Sequence, residues 1–150
     1  MQDKPNSRRD IKSFFTPIFS KDTFVRGKMT AKLTISSDCE DTCFYMRISL
    51  DKEDGAFGLR DDITNIVRFV PDYHCGDKAV VEFSFDEHAF LIKKGERLRI
   101  DVSSSASNLY VRHTNNKGLY SVQTTARIAH NTIYPNESSL TIFTEGEENI

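Results

Sequence analysis

The sequence has no tryptophan, and only 7 glycines, 4 prolines and 3 cysteines among its 150 residues. So little glycine and proline excludes collagen-like and low-complexity chains. With 38% hydrophobic and 28% charged residues, the composition is that of one folded domain around one core. Three cysteines cannot all pair within one chain, so a reducing, cytoplasmic setting is expected rather than a secreted disulfide framework. Neither sign of charge dominates: 20 Lys and Arg stand against 22 Asp and Glu, for a net charge of -2. That field is too weak to draw in nucleic acid. No apolar run nears the roughly 18 residues that span a bilayer, and Met1-Gln2-Asp3-Lys4-Pro5 has no apolar signal core, so no membrane partner is expected.

Motifs that carry chemistry are missing as well. There is no Gly-x-Ser-x-Gly turn to expose a nucleophilic hydroxyl. Ser103-Ser104-Ser105 has no flanking glycines and reads as the end of a strand. Gly55 and Gly58 stand alone without the Lys-Ser/Thr pair of a phosphate loop. Cys39 and Cys43, beside Asp38, Glu40 and Asp41, lack a second Cys or His pair at zinc-site spacing, and the plain reading is one buried thiol before a strand. Asp61 and Asp62 make the richest acidic loop and could offer oxygens to an ion, but Arg60 beside them points to charge pairing. Asp86 and His88 would share a strand face, as an acid-base pair or a solvated strand end, if the strand runs that far. His74-Cys75 reads as a surface turn, and Asn136-Glu137-Ser138 as a chance glycosylation triplet. No catalytic residue, metal or cofactor is expected.

What is present is alternation. Met29, Ala31, Leu33 and Ile35 share one face while Thr30, Lys32 and Thr34 share the other, the period of a half-buried strand. The same period runs through Phe44 to Leu50, Ala79 to Phe85, Leu98 to Val102 and Val122 to Ile128, with shorter apolar runs at Ile66 to Val70, Leu109 to Val111 and Leu140 to Phe143. Turn residues separate them at 52–55, 71–77, 93–96 and 115–118. No helix of ten residues emerges. The expected fold is all-β, an antiparallel jelly-roll β-sandwich of seven or more strands, galactose-binding-domain-like. Residues 1–23 read as an extended lead-in or linker, 24–143 as the domain and 144–150 as a polar tail.

Two groups of polar residues stand out. Arg97, Arg99 and Asp101 fall opposite Leu98, Ile100 and Val102, forming a basic stripe that either faces water or pairs with carboxylates of a neighbouring domain. Between Asn108 and Gly118, the residues Tyr110, Arg112, His113, Asn115 and Asn116 crowd a stretch with only Leu109 and Val111 to bury. Tyr and Arg are enriched at interface cores, so this stretch is either a docking surface or an internally anchored loop.

The run Gly95-Glu96-Arg97-Leu98-Arg99-Ile100-Asp101-Val102-Ser103-Ser104-Ser105, followed by Tyr110, Arg112, Asn115 and Gly118, resembles the C-terminal domain of the X-prolyl dipeptidyl-peptidase and cocaine-esterase (CocE/NonD) serine hydrolases. Leu59-Arg60-Asp61, Thr132-Ile133-Tyr134 and Ser138-Ser139-Leu140 extend the likeness over residues 24 to 143. Departures fall at Asp62, where the family has Gly, at Glu96, where it has His, and at Ser107-Asn108, where a Phe-Pro pair is usual. The resemblance implies a non-catalytic jelly-roll module covalently linked to an α/β-hydrolase domain that holds the triad. It further implies that Tyr110, Arg112, Asn115 and His113 seat the module on that domain and that the module helps shape its cleft; independently of the resemblance, the Arg97 and Arg99 stripe could pair with carboxylates of that neighbour. A monomer and a homo-oligomer are both compatible with the sequence. The rival reading is a carbohydrate-binding module with Tyr73, Tyr110 or Tyr120 as an exposed platform, a fold-level analogy.

Overall fold

A computed structural model describes residues 10–104, 115–117 and 128–145. Among them the chain forms eleven strands: β1 Lys12–Phe15, β2 Thr23–Gly27, β3 Thr30–Ser37, β4 Cys43–Lys52, β5 Gly55–Asn65, β6 Ala79–Ser84, β7 His88–Ile92, β8 Arg97–Ser103, β9 Asn131–Ile133, β10 Ser139–Thr141 and β11 Thr144–Glu145. The described helical turns are two 3-10 turns, Ile66–Arg68 and Pro135–Glu137.

All pairings among the described residues are antiparallel. One sheet has the order β1-β8-β4-β5; a second has β10-β3-β6, with β9 also on β3; a third has β11-β2-β7. The first two lie face to face as a β-sandwich, and their alternation sets the core. Ala31, Leu33 and Ile35 of β3 and Ala79, Val81 and Phe83 of β6 point inward against Phe44, Met46, Ile48 and Leu50 of β4 and Leu98 and Val102 of β8. The fully buried Phe83 and Phe85 rings stack at 6.4 Å. Each such side chain contributes about 1.5–3 kcal/mol by leaving water. The strands at Lys12–Phe15 and Thr144–Glu145 fall in the segments read as lead-in and tail; they pair with β8 and β2.

Three expectations need correction. The acidic stretch around Asp61 and Asp62 is not a loop but the middle of β5, whose register with β4 runs from Lys52↔Gly55 to Cys43↔Asn65. A bulge opposite Ile48 and Ser49 breaks the alternation there, which hid the strand in the sequence. The Ile66 to Val70 run is a 3-10 turn rather than a strand, because Asp41 Oδ1 accepts the Val67 N–H at 3.1 Å and the Phe69 and Val70 N–H groups turn back to the Ile66 carbonyl. Asp86 and His88 do not share a strand, since β6 ends at Ser84 and β7 opens at His88.

Candidate functional site

The register of the four-stranded sheet collects a polar array on its outer face. Along β4, Tyr45, Arg47, Ser49 and Asp51 alternate with the buried apolar residues, and β8 sets Ser103, Asp101, Arg99 and Arg97 opposite them in that order. β5 adds Asp61 opposite Arg47, and β1 adds Ser13 opposite Asp101 and Phe15 opposite Arg99. Three arginines and three aspartates therefore share one face.

At its centre the Arg99 Nε donates to Asp101 Oδ1 at 2.9 Å, and the two side chains are only 10% and 8% exposed. The Ser13 hydroxyl closes the triangle, donating to Asp101 and accepting from Arg99 Nη2 at 3.2 Å. Two charges taken this far out of water hold together only when their hydrogen bonds are met, which is what Ser13 supplies. Toward the rim, Arg97 Nε donates to Asp51 Oδ2 at 2.8 Å, and its guanidinium lies 4.0 Å from the centre of the Phe15 ring. Tyr45 donates its hydroxyl to Asp61 at 2.8 Å. Arg47 packs over Gly58, where a Cβ would meet its guanidinium.

The carboxylates that hold Arg97 and Arg99 thus come from this chain. Of the loop residues singled out in the sequence, Tyr110, Arg112 and His113 lie outside the described residues, as does Tyr120. Asn115 sits at a positive φ of 63° and accepts the buried Thr42 hydroxyl at 2.7 Å. Thr42 adjoins Asp41, which takes the Asn65 amide at 2.9 Å, so Asn115 is tied to the start of β4 and the end of β5. Arg47, Asp51 and Ser13 were missed in the sequence, while Asp61, read there as part of an acidic loop, belongs to this face. The alternation of β4 could have placed Arg47 and Asp51 on one face, whereas Ser13 and the position of Asp61 opposite Arg47 become visible only through pairing.

Other candidates resolve differently. Tyr73 is not a sugar platform: it is buried, and its hydroxyl accepts the Ser37 N–H at 2.9 Å and donates toward the Asp77 carbonyl at 2.6 Å. Burial pushes its phenol above the ordinary value. His88 packs on Phe90, and burial, aided by Arg60, lowers its imidazole below the ordinary range. The Cys43 thiol is pushed up to about 12 by burial and then by Asp41, which makes it a poor nucleophile. Asp61 and Asp62 do not pair with Arg60, which donates to the Leu59 and Glu87 carbonyls; Asp62 accepts the Ser84 N–H at 3.2 Å. Among the described residues no group of three His, Cys, Asp or Glu is placed to hold a metal, and no helix is long and apolar enough to cross a membrane.

Two cavities among the described residues stand out. A small apolar one of about 140 Å³ lies between the sheets, lined by residues including Phe14, Leu33, Ile100 and Leu140. A polar groove of about 580 Å³ runs over β3, β6 and β10.

Comparison with known proteins gives the context. Residues 73–141, β6 to β10 with the segment before them, match the family described as the X-Pro dipeptidyl-peptidase C-terminal non-catalytic domain. No curated protein is significantly similar to the chain in sequence. Among solved structures, an aminopeptidase from the marine sediment archaeon Thaumarchaeota archaeon superposes with a TM-score of 0.81 at 17% identity, over 93% of this chain and 26% of its own. An alpha-amino acid ester hydrolase gives 0.78 at 16% identity, over 93% and 26%. A CocE/NonD family hydrolase from Staphylococcus aureus gives 0.61 at 18% identity, over 88% and 30%. The chain spans only about a quarter to a third of the length of these proteins. Residues 73–141 thus carry the sequence pattern of the X-Pro dipeptidyl-peptidase C-terminal non-catalytic domain, and nearly the whole chain shares its fold with part of these larger hydrolases.

Proposed function

We propose that this chain serves as the non-catalytic jelly-roll module of a serine hydrolase, linked to an α/β-hydrolase domain that it stabilises and whose substrate cleft it helps to wall. The observation that carries this reading is the match of residues 73–141 to a domain described as non-catalytic. Attachment to a larger protein is supported by how little of each structural relative the chain covers. The parent reaction in this reading is hydrolysis of an Xaa-Pro peptide or an ester, in a cytoplasmic setting consistent with three cysteines that form no disulfide. In this reading residues 1–23 lead in from the neighbouring domain and lend β1 to the first sheet, 24–143 form the body of the module, and the tail at 144–150 lends β11 to the third sheet.

The docking surface in this proposal is the outer face of the β1-β8-β4-β5 sheet, together with the loop residues Tyr110, Arg112, His113 and Asn115. Arg97 and Arg99 are already held by Asp51 and Asp101, so their forks are oriented before any partner arrives. Preorganised charges lose less freedom on binding, and the exposed Phe15 ring beside them offers apolar area. The test has two arms. The chain alone, given an Xaa-Pro anilide and short acyl esters, is expected to show no turnover above buffer; turnover overturns the non-catalytic reading. Supplying the hydrolase domain in trans is expected to give binding that weakens about tenfold in Arg97→Ala, near 1.4 kcal/mol. Unchanged affinity in both Arg97→Ala and Phe15→Ala removes this face as the docking surface.

A further inference from the structure

We propose that β7 is a docking edge for a second copy of this chain, whose own β7 adds antiparallel to it across a two-fold axis at Phe90. The contact uses none of the residues assigned to docking on a hydrolase domain and goes beyond that reading. β7, His88–Ile92, pairs with β2 along one side, and among the described residues no strand pairs with its other side. An open ladder of N–H and C=O groups is what a further strand joins.

Edge strands are commonly kept from such addition by a charge or a bulge. Among the described edge strands of four residues or more, β1 has Lys12, β6 has Glu82, and β5 has Arg60, Asp61 and Asp62 besides its bulge. β7 has no such guard. It reads His-Ala-Phe-Leu-Ile, without proline, and the histidine favours its neutral form. Phe90 and Ile92 turn toward the core, whereas Ala89 and Leu91 are exposed on the other face, with the exposed Phe24 of β2 directly opposite Leu91. Joining two such edges would bring the outward apolar rows of both copies side by side.

The charges bracketing the strand select the occupant. Asp86 and Glu87 precede it and Lys93 and Lys94 follow it; all four are exposed, and no described residue pairs with their charges. Asp22 and Glu96, the acids beside the lysines, accept the Lys94 and Lys93 backbone N–H groups at 2.8 and 2.9 Å. At the other end Arg60 donates to the Glu87 carbonyl at 3.3 Å, not to its carboxylate. In an antiparallel pair centred on Phe90, Ala89 faces Leu91, Glu87 meets Lys93 and Asp86 meets Lys94, each of them twice. The pattern is its own complement when reversed, which is what a two-fold contact demands. Sliding the copy by two residues sets Asp86 against Glu96 in one direction and the lysines against Phe85 and Ser84 in the other. Sliding it by one residue would put the copy's core-facing row on the outward side.

The experiment is sedimentation equilibrium of the full chain from micromolar to millimolar concentration. The mass is expected to rise from 17.1 kDa to twice that value and to stop there. Leu91→Lys, which puts a charge in the middle of the edge, should weaken association by about tenfold or more. Two charge variants test the register. An acidic one carries Lys93→Glu with Lys94→Glu, and a basic one carries Asp86→Lys with Glu87→Lys. Each alone should stay monomeric where the wild type pairs, because like charges then meet at both ends. Mixed in equal amounts they should form a one-to-one pair, since every facing pair is again opposite in sign. All five positions are exposed, so circular dichroism spectra should match the wild type. A chain that stays monomeric at millimolar concentration overturns the proposal. So does a dimer that survives in either charge variant alone, or a mixture of the two that fails to associate.

Discussion

Replacing Arg99 by alanine tests the most consequential contact in the four-stranded sheet. In the intact chain Asp101 has two side-chain partners, the Arg99 guanidinium and the Ser13 hydroxyl, and its side chain is 8% exposed. Removing Arg99 leaves a carboxylate out of water with one neutral donor. Breaking a buried pair in this way costs roughly 3–5 kcal/mol, against about 0–1 for an exposed pair. For a domain of this size each kcal/mol moves the unfolding midpoint by about 2–4 °C, so Arg99→Ala should lower it by roughly 6–20 °C. Asp101→Asn should cost less, because the amide oxygen still accepts from both partners. The double substitution Arg99→Met with Asp101→Leu should recover most of the loss, since it removes both charges and keeps the volume. Urea unfolding monitored by circular dichroism measures all three. A loss below about 1 kcal/mol for Arg99→Ala, or a double variant no better than the single, would refute the burial argument.

Other substitutions probe separate parts of the fold. Tyr73→Phe strands the buried Ser37 N–H, and urea unfolding should show a loss of about 1–3 kcal/mol. Gly58→Ala places a methyl where the Arg47 guanidinium lies, and because that flexible end can swing aside the loss should stay below about 1 kcal/mol, with Gly58→Val worse; equal stability of Gly58→Val and wild type would contradict the close approach. His88 favours its neutral form in the folded state, so its contribution is present above the ordinary histidine value of 6.5 and is lost as pH falls through the lower folded value. Midpoints of wild type and His88→Gln, compared across pH 5 to 8, should therefore diverge on the acid side only. Asp38 is likewise held below the ordinary carboxylate range, chiefly by the His130 backbone N–H at 2.8 Å; the His130 amide should exchange faster with solvent in Asp38→Asn than in wild type.

The sequence disclosed the strands whose two faces differ in polarity. β3, β4, β6 and β8 each bury one clean apolar row, and period-two alternation reads them directly. β5 escaped because Gly55, Gly58, Arg60, Asp61 and Asp62 resemble a loop in composition. Its pairing along β4, together with a bulge, makes it a strand nonetheless. Ile66 to Val70 misled in the opposite direction, since a short apolar run says nothing about the Asp41 carboxylate, distant in sequence, that turns it. Arg97 and Arg99 were recognised as a stripe, but burial and partners depend on which strands lie alongside. Ser13 and Asp51 are far away in sequence, so no local pattern could name them as the groups that hold the arginines.

The position of β1 carries a practical consequence for handling the protein. Lys12–Phe15 lies along the outer edge of β8, where its backbone occupies N–H and C=O groups that would otherwise point into solvent. A shortened version starting near Phe24 would uncover a seven-residue strand with alternating apolar side chains, the kind of open ladder to which a second molecule readily adds. Preparations trimmed by proteases at the front of the chain should therefore run as self-associated species, and cloning boundaries for this module belong upstream of Lys12.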